Sequence, residues 1–137
     1  MILQTNKNLP KIIQKYGCGL MCVIWHSARL GACEISGVAD IIKIYNRAIE
    51  LGAMRANCYI EDWEGVFQAA GLDVAYTGRH ETYSRTCADN EIEILRFPGH
   101  FIAGNGKGIR TYDSLGMSAA GLKPMKTKRI FRVNGRA

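Results

Sequence analysis

No run of apolar residues in this chain approaches the roughly 20 that a helix needs to span a bilayer. The opening Met1-Ile2-Leu3-Gln4-Thr5-Asn6-Lys7 carries no charged leader ahead of a long apolar core. A signal peptide is therefore not expected, and the cytoplasm is the default compartment. Prolines number only three, and there is no internal repeat, low-complexity tract or linker, so one domain over residues 1–137 is expected. Cys-x-x-Cys is absent, which excludes a zinc ribbon or a thioredoxin-type redox site. The five cysteines, Cys18, Cys22, Cys33, Cys58 and Cys87, are odd in number and irregular in spacing. That suits reduced thiols and not a secreted disulfide framework. Acidic residues are missing altogether after position 122.

What is present is ordinary globular material, 47% hydrophobic and 22% charged, in a chain long enough to bury roughly two-thirds of its unfolded surface. The net charge of +6 is uneven. Residues 1–122 hold 12 acidic and 12 basic side chains, so the excess is Lys123, Lys126, Lys128, Arg129, Arg132 and Arg136. Such a segment can contact a polyanion through Lys126, Lys128, Arg129 and Arg132. The plainer reading, preferred here, is an edge strand whose cations discourage edge-to-edge pairing. Its single aromatic, Phe131, is too few for the stacking used by single-strand binders.

Helical patterns fill the first half. A short turn of helix is expected over residues 9–16 with Pro10 near its start. A helix from Gly19 to about Leu30, stopped by Gly31, is apolar nearly all round in its first half and belongs inside a core. Ser36 offers an N-cap to a helix with Val38, Ile41, Ile42, Tyr45 and Ile49 at helical spacing, ended by Gly52. Asp62 caps a third, short one with Trp63, Val66 and Phe67, closed by Gly71. The pattern then changes to strands: Leu72 to Tyr76, Glu91 to Phe97, His100 to Ala103, Ile109 to Asp113, and about Lys128 to Val133. Residues 77–90 read as a polar loop, and Gly104-Asn105-Gly106-Lys107-Gly108 as a hairpin turn. The run also suggests a phosphate cradle, but it lacks the Gly-Lys-Ser/Thr ending of a P-loop. The fold class is α+β, helices first and antiparallel strands second.

One corner concentrates chemistry. In Gln14-Lys15-Tyr16-Gly17-Cys18-Gly19, a cysteine stands between glycines where the apolar helix begins. Free N–H groups and the positive end of the helix dipole favour thiolate there. The glycines allow close approach and unusual φ values. His100 starts a later strand and Asp113 ends the next. Cysteine, distant histidine and following acid are the parts of a nucleophile, its base and the group that orients the base. Each has a plainer role available: Cys18 as a buried thiol, His100 as a core histidine, Asp113 as a turn cap before Ser114. Cys18, Cys22 and His26 also share a helical face, a spacing that suits zinc, but with no evident fourth ligand core packing is expected there. No metal or cofactor is expected.

The layout resembles the papain-like cysteine peptidase fold, and within it the small bacterial peptidases that trim double-glycine leader peptides. The likeness lies in Cys18-Gly19 opening an apolar helix. It lies also in His100-Phe101-Ile102, followed by the glycine-rich turn and Tyr112-Asp113-Ser114. The resemblance implies a buried central helix packed on a C-terminal antiparallel sheet. It makes Cys18 the nucleophile, His100 the base and later acid, and Asp113 the residue that fixes the imidazole tautomer. Oxyanion donors would be the Cys18 N–H and a preceding glutamine. Ile12 stands where that family carries its glutamine, so the role falls to the nearer Gln14. The expected activity is that of a cysteine peptidase or amidase-type hydrolase on a peptide or other amide. The alternative is a catalytically idle papain-like fold that binds a partner protein or a small anionic ligand.

Overall fold

The computed structural model describes residues 1–81, 85–116 and 118–137. Four helices come first: α1 (Lys11–Tyr16), α2 (Cys18–Arg29), α3 (Val38–Glu50) and α4 (Trp63–Ala69). Five strands follow: β1 (Leu72–Glu81), β2 (Glu91–Phe97), β3 (His100–Gly104), β4 (Arg110–Tyr112) and β5 (Thr127–Arg136), with a 3₁₀ turn at Ala120–Leu122 before β5. The protein is α+β, with its helices packed on an antiparallel sheet. No helix among the described residues is long and apolar enough to cross a membrane.

Sequence accounts for the helices with small adjustments. α2 buries Gly19 to Ile24 continuously, together with His26 and Ser27, so it has no solvent face in its first turns. α3 buries only Ile41, Ile44 and Ala48, a single stripe. Its N-cap is Gly37 and not Ser36. The Asp40 carboxylate turns back to accept the N–H groups of Ser36 at 2.9 Å and Gly37 at 3.1 Å, which satisfies donors one residue later than expected. Asp62 does precede α4, but without a side-chain cap bond.

The sheet order is β1-β5-β2-β3-β4, every neighbouring pair antiparallel. Two expectations fail here. The basic strand is no edge: β5 lies between β1 and β2 and hydrogen-bonds to both. Residues 77–81 are not loop but the second half of β1. A bulge at Gly78, whose φ is +122°, carries the pairing on to Glu81 opposite Thr127. As an edge strand β1 has one open side, so its outer half needs no apolar alternation to stay paired. Residues 82–84 of the expected loop lie outside the described residues.

The main core joins α2, α3 and α4 to Ile92, Ile94, Ala103 and Phe131 of the sheet. A small cluster of Leu95, Phe97 and Ile102, with Met125 against it, is separate from that core. By strand alternation Glu93 and Lys128 share a face with Leu95, and both are enclosed, at 0% and 1% exposure, with Nζ 3.5 Å from Oε1. The other Glu93 oxygen accepts the N–H groups of Gly106 at 3.0 Å and Gly108 at 2.7 Å. The glycine-rich run is therefore a hairpin wrapped around an internal carboxylate.

The N-terminal segment straps the far edge of the sheet. The Gln4 N–H donates to the Ser114 carbonyl at 2.8 Å, the Ser114 hydroxyl to Gln4 Oε1 at 2.6 Å, and the Tyr112 hydroxyl to the Ile2 carbonyl at 2.9 Å.

Candidate active site

α1 runs into α2 through the single residue Gly17, and Cys18 is the first residue of α2. The flanking glycines serve close approach and not unusual dihedrals. A Cβ on Gly17 would stand 2.6 Å from the Ile13 carbonyl oxygen. One on Gly19 would stand 2.9 Å from Ile60 Cδ1 and 3.2 Å from the Trp63 ring. The bare helix end thus lets α2 tuck its first turn beneath the Ile60–Trp63 segment.

His100 opens β3 and Asp113 follows β4, so the hairpin that closes over Glu93 also sets the spacing of these two side chains. His100 Nε2 lies 2.7 Å from Asp113 Oδ1, and the Cys18 side chain is close enough to the imidazole to shift its proton affinity. Asp113 is fully engaged. The Leu115 N–H donates to Oδ1 at 3.0 Å, and the Ser118 N–H and hydroxyl donate to Oδ2 at 3.2 and 2.5 Å. With Nε2 on the carboxylate, Nδ1 is the ring nitrogen left for sulfur.

The electrostatics separate one thiol from the rest. Burial alone would raise the Cys18 thiol. The hydrogen bond to His100, the Phe101 N–H, the imidazolium charge and the Gly19 N–H outweigh it and hold the thiol below its ordinary value. The other four are all raised, chiefly by burial, Cys58 to about 11 and Cys87 to about 12. Burial would lower His100, but bonds to Cys18 and Asp113 and the charges of both hold it raised. Burial would raise Asp113, but the Ser118 and His100 bonds keep it lowered. All three shifts favour a thiolate–imidazolium pair backed by an ionised carboxylate.

A family model described as "Protein of unknown function, DUF261" matches residues 1–133. The chain belongs to that family. No curated protein and no solved structure matches it. Cys18, His100 and Asp113 all fall inside the part of the chain that is shared with DUF261.

The remaining expected residues sit elsewhere. Gln14 does not join the three: its amide donates to the Leu9 carbonyl at 2.8 Å and so closes the first turns of the chain. Lys128 cannot contact a polyanion from inside the sheet. Arg129 faces the cleft beside Cys18, which leaves Lys126 and Arg132 exposed on the same strand region. On α2, His26 Nε2 lies 2.8 Å from the Glu93 carbonyl, and burial presses the imidazole down to about 4. Cys22 is fully enclosed.

Cys18 opens onto a cleft of about 490 Å³ lined by Tyr16, Gly19, Asn57, Tyr59, Trp63 and Phe101, among others. Sequence reasoning missed most of this wall. Asn57 and Tyr59 belong to a turn in which Cys58 adopts a φ of +70°, and no periodic pattern marks such a turn. Asn57 Oδ1 accepts the Tyr59 N–H at 3.1 Å, and Asn57 brings a side-chain amide to the cleft wall, which Gln14 does not line.

Proposed function

We propose that this protein is a cysteine hydrolase acting on a peptide or other amide, a small relative of the papain-like peptidases. The observation that carries the reading is Cys18 itself. It is the one thiol of five held below its ordinary value, it starts a buried helix, and it is coupled electrostatically to an imidazole that Asp113 holds at Nε2. In this scheme the Cys18 thiolate attacks the substrate carbonyl, and the developing oxyanion lies near the N-terminus of α2 and the Asn57 amide. The His100 imidazolium then gives its proton to the departing amine. The acyl-enzyme is released by water that His100 deprotonates, and Asp113 fixes the ring throughout.

The engagement of Gln14 with Leu9 favours the second reading, an idle papain-like fold that only binds. Labelling separates the two. At pH 6.5, iodoacetamide should alkylate Cys18 well ahead of Cys22, Cys33, Cys58 and Cys87 in the native protein, and His100→Ala should slow it. Peptide-amide hydrolysis should vanish in Cys18→Ala. Even labelling of all five thiols, seen only after denaturation, would leave the idle reading standing.

A further inference from the structure

The cleft beside Cys18 carries charge of one sign. Its lining includes Lys15, Arg96 and Arg129 and no aspartate or glutamate. Register explains the crowding: β2–β5 pairing sets Arg129 opposite Ile94 and Arg96 opposite Thr127, so the two arginines are diagonal neighbours on one face. Both guanidiniums stack on the same ring, Phe101, at 4.7 and 5.1 Å, and Arg129 also lies 5.3 Å from the Trp63 centroid. Across β1, Arg79 stands directly opposite Arg129. Burial pushes the Arg129 guanidinium down; Tyr76 opposes this by charge and by a side-chain hydrogen bond, and the charges of Arg79 and Arg96 add to the lowering.

Like charges gathered on a low-dielectric wall repel one another unless an anion joins them. No described acid does. Arg79, Arg96 and Arg129 take part in none of the ion pairs among the described residues, and neither does Glu81, the carboxylate in register at Thr127. Arg129 Nη1 is buried and has no hydrogen-bond acceptor among the described residues. Stacking fixes the plane of a guanidinium and leaves its N–H edge for an acceptor, the arrangement that suits a carboxylate in two-point contact. The wall also abuts the nucleophile: Trp63 and Phe101 come within 3.2 and 3.5 Å of where a Gly19 Cβ would be.

We infer that the cleft selects substrates bearing a carboxylate close to the scissile carbonyl, held by Arg129 and Arg96, with Phe101 and Trp63 flanking it. The carboxylate is an acidic side chain or a free chain terminus. The inference rests on Cys18 being the nucleophile.

Two alkylating agents with the same reacting carbon test it on the intact protein: anionic iodoacetate and neutral iodoacetamide. The rate ratio at Cys18 (iodoacetate over iodoacetamide) should fall about 5-fold in Arg129→Gln and in Arg96→Gln. Loss of one nearby unit charge has an effect of that order at a partly screened site. Arg129→Lys keeps the charge and should hold the ratio, which separates charge from packing. Three peptides offered as protectors then distinguish the sources: one with an internal aspartate and amidated ends, one neutral with a free C-terminus, and one fully neutral. The more protective anionic peptide names the source. A ratio unmoved by either glutamine variant, or protection by the neutral peptide equal to both others, overturns the inference and leaves the hydrolase reading intact. A Cys18 no faster than the other four thiols toward either reagent overturns both.

Discussion

Around Cys18 the absence of side chains matters as much as the sulfur. A methyl on Gly17 would press on backbone, the Ile13 carbonyl, whereas one on Gly19 would meet mainly the mobile end of Ile60. Gly17→Ala should therefore lower the urea midpoint more than Gly19→Ala, which we expect to cost about 1–2 kcal/mol. Gly19→Ala should instead show its effect at the site, slowing Cys18 alkylation at pH 6.5 as Ile60 and Trp63 are pushed away. A second residue-scale expectation concerns His26. Its imidazole is held at about 4 against an ordinary 6.5, so the folded protein binds fewer protons than the unfolded chain between those values. The associated stability is fully present above pH 6.5 and drains away as pH falls toward 4, by roughly 3 kcal/mol over the full range. Urea titrations of His26→Gln, which keeps a donor for the Glu93 carbonyl, should show a shallower loss of stability over that interval. Cys18, His100 and Asp113 were legible in the sequence because each sits at an element boundary that local pattern reveals. Gln14 was not, since only the folded chain shows that the Leu9 carbonyl takes its amide.

Among elements, the helices and β2 were readable from periodicity and caps, because their burial is decided by neighbours a few residues away. β1 and β5 were not. Their pairing is set by contacts between segments far apart in the chain, such as Tyr76 with Phe131, and the polar outer half of a strand with one open side has no apolar alternation to betray it. The cationic cleft wall was hidden for the same reason: Arg96 and Arg129 become neighbours only through register. Lys128 illustrates the error most sharply, a lysine that composition assigns to solvent and the sheet encloses against Glu93. Lys128→Met should destabilise the fold by about 3–5 kcal/mol, because it leaves a buried carboxylate without its cation. Lys128→Met with Glu93→Gln should recover part of that loss, as a double-mutant cycle in urea would show. Gly104→Ala should be damaging by a related route, since its Cβ would fall 2.5 Å from a Glu93 oxygen.

For the molecule as a whole, the candidate site is a joint between layers: Cys18 belongs to the helices, His100 and Asp113 to the sheet. Its pH behaviour follows from that joint. Cys18 is lowered and His100 raised, so alkylation should already be fast below the ordinary thiol range near 8.5. It should decline on the acid side as the thiolate is protonated. His100→Ala should move that decline toward higher pH, measurable by alkylation rate against pH. The stability that His100 gains from its partners is present below its unfolded value and is lost as pH rises through its folded one. The order of strands carries a consequence in time as well. β5 bridges β1 and β2, yet it is the last of the strands to be synthesised. While a nascent chain has not yet released it, β1 and β2 have no partner between them, and His100 and Asp113 have no finished sheet to stand on. Cys18, made long before, is expected to stay an ordinary thiol through that interval. Reactivity should switch on only when β5 has been released and has paired between β1 and β2, so a chain halted short of β5 should label at Cys18 no faster than at its other cysteines.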